Sequence, residues 1–200
     1  MRTRHVTVLL LLSAGLGCLP RLQLQDPELP PADIETTLFL IGDAGEADPR
    51  APLGGVPLES LTVQAGVAPQ RSVIVFLGDN VYPDGIPEDG VAEYADARRR
   101  LVAQVLAVPV GARAFFVPGN HDWASEAPYG LFSVRRQEDL IAAMARGRAV
   151  RMLPGDGCPG PVSLDVGRLR LIALDTQWWL HTYIERASAP PSAHTTIGGV

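Results

Sequence analysis

Val73-Ile74-Val75-Phe76-Leu77-Gly78-Asp79-Asn80-Val81-Tyr82 passes within ten residues from an unbroken apolar run to a turn that bears a carboxylate and a phenol. A short run of Val, Ile, Leu and Phe without polar alternation has the composition of a buried strand. Three further stretches share this form, each ending in turn residues: Thr37 to Ile41, Ala114 to Val117 and Leu169 to Leu174. Between the second and third runs, Val91, Tyr94, Leu101, Val102, Val105 and Leu106 recur at helical spacing among Glu and Arg, until Pro109 and Gly111 stop the pattern. A second helix is expected over Arg135 to Arg148, ended by Gly147, and a weaker one over 58–68. Strands alternating with helices predict an α/β fold, a layered β-sheet flanked by helices.

In open α/β sheets the site lies beyond the carboxyl ends of the strands, so the residues just after each apolar run carry the information. The first run ends in Gly42-Asp43-Ala44-Gly45, the second in Gly78-Asp79-Asn80-Val81-Tyr82 and the third in Pro118-Gly119-Asn120-His121-Asp122. Each glycine permits a sharp turn that aims the next polar side chain over the sheet edge. A lone Gly-Asp is an ordinary turn former; the ordered set of three is far more specific. Two carboxylates, an amide oxygen and a phenol on one rim are hard oxygen ligands, which suit Mn, Fe or Zn. A carboxylate such as Asp79 would bridge two cations about 3.5–4 Å apart, an arrangement that clamps a phosphate ester and acidifies a water.

Gly-Asp-x-Gly, Gly-Asp-Asn-x-Tyr and Gly-Asn-His-Asp, in this order on successive strands, resemble the calcineurin-like metallophosphoesterase superfamily and specifically its purple acid phosphatase branch. The resemblance runs from about Thr37 to Trp179. Ordinary members carry Asp-x-His in the first motif; here Gly45 stands at that His position, and Tyr82 stands where the branch has its tyrosinate ligand. The resemblance implies that Asp43 and Tyr82 bind a ferric ion, that Asp79 bridges both metals and that Asn120 binds the divalent ion. The implied cofactors are two metal ions, Fe(III) plus Fe, Zn or Mn. His121 would face the phosphoryl group as general acid or charge stabiliser, with Asp122 orienting it. Asn80 is expected to hold its loop, Asp175 to serve as a turn residue or to support the site from behind, and Trp123, Tyr129, Trp178 and Trp179 to pack at the rim. The implied function is metal-dependent hydrolysis of a phosphomonoester or phosphodiester.

The same resemblance implies three more histidine ligands, one after a later apolar run and a Gly-His-x-His pair. Beyond His121 the sequence offers only His181 and His194, and both read as loop or surface histidines. The phosphoesterase domain is therefore expected over 36–186 as the N-terminal part of the full fold, followed by an irregular tail at 187–200 rich in Pro and Gly. The alternative function is a truncated, non-catalytic remnant that acts as a surface binding protein.

Composition narrows the partners. The formal net charge is −5 and all 17 basic residues are Arg, scattered except for Arg98-Arg99-Arg100 on a predicted helix, which argues against nucleic acid. Arg2 and Arg4 precede the apolar run Val6 to Leu12 and the small-residue stretch Ser13 to Cys18, a signal-peptide pattern over 1–18. That run is too short to span a membrane, which takes about 20 apolar residues. Leu16-Gly17-Cys18 resembles a lipoprotein processing site, so the expected location is exported, periplasmic or extracellular, with membrane attachment through a lipidated Cys18 or, alternatively, ordinary cleavage nearby. Pro20, Pro27, Pro30 and Pro31 mark an extended linker over 19–35, and Cys158 is left as a single thiol.

Overall fold

The computed structural model describes residues 8–11 and 33–181, apart from 47, 49 and 51–53. Five strands, β1 (Val8–Leu11), β2 (Thr37–Ile41), β3 (Ser72–Phe76), β4 (Arg113–Phe116) and β5 (Ala149–Met152), form one sheet in the order β1-β2-β3-β4-β5. Every neighbouring pair is parallel. Spatial order equals chain order, so each crossover steps one strand in the same direction, and connections of constant hand then place their helices on a single face. Those helices are α1 (Val56–Gly66), α2 (Tyr94–Ala107) and α3 (Gly130–Ala145), and α2 packs between the other two.

Two apolar clusters confirm the layering. Alternate strand residues Phe39, Ile41, Ile74, Phe76, Ala114 and Phe116 pack with Leu61, Leu101, Val105 and Ile141 from the helices. Phe76 and Phe116 stack with ring centroids 4.2 Å apart. The opposite residues Val73, Val75 and Phe115 pack instead with Leu164 and Val166 of a two-stranded antiparallel hairpin, β6 (Val162–Val166) and β7 (Leu169–Ala173). β3 is buried at every position because it has a strand on either side and a layer on each face. Removing a side chain such as Leu61, which is fully buried, would cost about 2–5 kcal/mol.

The α/β layering and the strands β2, β3 and β4 stand where the sequence places them, and the differences follow from local chemistry. The run Leu169 to Leu174 leaves the parallel sheet and pairs with β6 through a turn at Gly167. Its place as the strand after the third helix is taken by Ala149–Met152, whose apolar pattern is interrupted by Arg151 stacked over the Phe115 ring. The third helix also starts earlier than expected, at Gly130, and stops at Arg146 in a left-handed conformation. Val8–Leu11, expected in an export signal, forms edge strand β1. A run that is apolar at every position satisfies either role. Cys18, the linker up to residue 32, His194 and the tail 187–200 lie outside the described residues. No helix among the described residues is long and apolar enough to cross a membrane.

Candidate metal centre

The three strand-end turns converge on one edge of the sheet. β2 delivers Asp43, β3 delivers Asp79 and Tyr82, and β4 delivers Asn120 and His121. The Tyr82 hydroxyl lies 2.8 Å from Asp43 Oδ1 and 3.1 Å from Asp79 Oδ2. A phenol has one proton, so it cannot donate to both carboxylates at once. Partial burial and the two neighbouring carboxylates push the Tyr82 hydroxyl well above its usual range, holding it protonated. Three hard oxygens therefore share a single proton, a donor set that a cation would satisfy better than the proton does. Asp43, Asp79 and Asn120 also line one cavity of about 530 Å³, whose apolar wall includes Leu40, Val75 and Phe115.

The backbone is strained where the carboxylates sit. Asp43 and Asp79 both adopt positive φ, 56° and 54°, a region that costs a residue with a Cβ about 1–2 kcal/mol. Two glycines make room for these turns. A Cβ at Gly45 would lie 2.6 Å from both Asp79 O and Val81 N, and a Cβ at Gly119 would lie 2.3 Å from Asp79 Oδ1. Position 45 therefore holds no side chain in this packing, and the backbone of the Asp79 turn fills the space: Gly45 N donates to Asp79 O at 2.8 Å.

His121 stacks at a tilt on Tyr82, with centroids 4.2 Å apart, and its backbone N–H donates to Asp79 Oδ1 at 3.1 Å. Its Nδ1 faces the carbonyl of Pro83. A carbonyl only accepts, so Nδ1 carries the proton and Nε2 is the free nitrogen.

The Asp122 carboxylate is fully buried and accepts from Gly119 N at 2.8 Å, Asn80 N at 3.0 Å, Val81 N at 3.1 Å and Asn80 Nδ2 at 3.0 Å. These bonds clamp the second and third turns together beside His121. Burial pushes the Asp122 carboxyl up to about 7, opposed by the backbone N–H bonds. Asn80 holds its loop as expected, donating also to Val117 O at 2.9 Å.

Two supports escaped the sequence reading. Gln104 of α2 donates to Asn80 O at 2.7 Å, and Gln137 of α3 donates to Asp122 O at 3.2 Å; both are fully buried. A glutamine on the apolar face of an amphipathic helix was the available signal, Gln104 lying between Leu101 and Val105. His181 stands in a loop after a short helix, as one of its two readings has it, but not at the surface. It is buried, its ring 5.0 Å from that of Trp123 and its Nε2 3.0 Å from Ala127 O, because the short helix α4 (Gln177–Leu180) folds it inward. Among the described residues no three His, Cys, Asp or Glu side chains gather as a metal cluster. Cys158 is a free, partly buried thiol.

No match is found among curated proteins or among solved structures. The profile of the calcineurin-like phosphoesterase family matches residues 55–157, more than half of the chain, including Asp79, Tyr82, Asn120 and His121, while Asp43 lies before it. The layered α/β sheet is the architecture of that family. On these grounds the chain belongs to the calcineurin-like phosphoesterases, a family whose chemistry is phosphoester hydrolysis with divalent metal ions.

Proposed function

We propose that the protein is a phosphoester hydrolase of the purple acid phosphatase type, with Asp43, Asp79, Tyr82 and Asn120 holding two cations and a phosphomonoester as the first substrate to test. The observation that carries this reading is the single Tyr82 proton between Asp43 Oδ1 and Asp79 Oδ2, at 2.8 and 3.1 Å. Asp43 and Tyr82 would hold one cation, a ferric ion being the natural partner of a phenolate, and Asn120 the other, Fe, Zn or Mn, with Asp79 shared between them. When bound, such cations polarise the phosphoryl oxygens and acidify a water. Gly45 supports the branch assignment, because the Asp79 turn fills the space a histidine side chain would need there.

The remaining steps belong to the chain's own residues. Tyr82 would lose its proton to give the oxygen donor, against the burial and the two carboxylates that hold it protonated. His121, fixed at Nδ1 by Pro83 O, presents Nε2 to the ester, where a protonated imidazole donates to the leaving alkoxide. Asp122 keeps the Asn80 and Gly119 turns in register beneath it.

The test is cation binding by calorimetry together with phosphate release from phenyl phosphate, on the full chain and on Asp79→Ala. Binding and turnover that both fall at least about tenfold in the variant support the reading. Binding without turnover would favour the surface binding protein instead, and wild-type turnover in Asp79→Ala would exclude this centre.

A further inference from the structure

Tyr82 joins two spaces. Its hydroxyl meets the carboxylates that line the first cavity, and its side chain forms a wall of a second, about 660 Å³ in volume, within the range of small-molecule sites. The second space is bounded by apolar Pro83, Pro87 and Val91 and by the half-exposed ring of Tyr129. Asp84, Glu88 and Glu93 lie in the same wall and are solvent-exposed. Four carboxylates line it against two guanidinium groups; one of the four, Asp96, is paired with Arg99, which leaves Asp84, Glu88 and Glu93 against Arg100 and Arg136. Arg100 Nη1 donates to Gly45 O at 3.0 Å and Arg136 Nε to Ile86 O at 2.9 Å.

We propose that this cavity receives the organic half of the phosphoester and selects one that carries a positive charge on an apolar body. The proposal rests on the phosphoesterase reading of the Asp43–Tyr82–Asp79 centre for its role, and on the cavity alone for its selectivity. An ester phosphorus held beside Tyr82 has its alkoxy group within reach of this wall. An ammonium group there finds the face of Tyr129 and an excess of carboxylates, both attractive to a cation, while the prolines and Val91 take the carbon skeleton. A second anionic group on the same skeleton meets repulsion, which turns polyanionic esters away.

Two measurements separate the cavity from the chemistry. In the first, the full metal-free chain is titrated with benzylammonium, benzyl alcohol and benzoate, following the Tyr129 ring protons by NMR. Benzylammonium should bind about tenfold more tightly than benzoate, and the Glu88→Gln/Glu93→Gln double variant should lose most of that ratio. Equal binding of the three, or a preference untouched by the double variant, overturns the proposal. In the second, the chain supplied with Mn²⁺ is offered 4-(aminomethyl)phenyl, phenyl and 4-carboxyphenyl phosphates. A kcat/KM order that follows the charge supports the leaving-group role, and turnover without that order overturns it while leaving the phosphoesterase reading intact. No turnover of any ester, with the binding ratio retained, overturns the phosphoesterase reading and the leaving-group role with it.

Discussion

Asp175 Oδ2 accepts the indole N–H of Trp123 at 2.9 Å, which ties the end of β7 to the loop that carries Asn120 and His121. Both residues are buried, and the other oxygen of Asp175 caps α4 by accepting from Gln177 N at 3.0 Å and Trp178 N at 3.2 Å. Asp175→Ala leaves three donors without an acceptor, two of them buried, and should cost about 2–4 kcal/mol in urea unfolding. A loss below about 0.5 kcal/mol would show that the strut carries no load.

The same carboxyl predicts a pH effect. Burial raises Asp175 to about 6, opposed by its bonds to Trp123 and α4. A carboxyl that binds its proton more tightly when folded contributes stability that is full below its unfolded value, near 4, and lost as pH rises through about 6. Wild type should therefore lose up to about 3 kcal/mol between pH 4 and 7 relative to Asp175→Asn, which does not titrate. Asp122, also raised by burial, adds the same trend to both proteins and cancels in the comparison. A wild-type and variant difference that is flat across this window would refute the assignment.

Asp122 and His121 are neighbours in sequence with opposite predicted effects. Asp122→Ala removes the acceptor shared by Gly119, Asn80 and Val81 and should destabilise by about 3–5 kcal/mol. His121→Ala removes a partly exposed ring and should cost no more than about 1 kcal/mol while lowering turnover about 100-fold or more. Thermal unfolding and phosphate release on both variants check the pair; a stable, inactive Asp122→Ala would reverse their roles.

Tyr82→Phe keeps the ring on His121 and deletes the proton between Asp43 and Asp79. Iron affinity should fall at least about tenfold, and any visible absorption of the iron-loaded protein should vanish. Colour that survives the substitution would assign it to another group.

At the two carboxylate turns, the proposed cation binding and backbone stability are set against each other. Asp43→Gly removes a Cβ from φ 56° and should raise the melting temperature while weakening cation binding, because glycine adopts that φ without strain. If Asp43→Gly lowers stability, the carboxylate is holding the fold rather than a ligand.

The strands β2, β3 and β4 and the loops after them were legible because buried apolar runs and the glycine turns that end them are local signals. Asp43, Asp79 and Tyr82 come together as their positions on neighbouring strands imply. What was not legible depends on tertiary partners. Ala149–Met152 is strand because β4 offers an open edge, not because its four residues demand it, and Leu169–Ala173 turns back because Gly167 lets it meet β6. The burial of Asp122 against Asn80 and of His181 against Trp123 was not legible for a related reason: it is fixed by other segments of the chain.

Because the sheet is wound in chain order, every donor named here arises from consecutive βα units, between Asp43 and His121. The candidate centre is thus complete in the first part of the parallel sheet, from β2 to the turn after β4. As the chain emerges during synthesis, the carboxylates, the phenol and the amide can meet as soon as β4 docks on β3, ahead of β5 and the β6–β7 hairpin. If cations bind there as proposed, they would join β2, β3 and β4 before the rest of the sheet is added, so their supply would bear on how fast the chain matures.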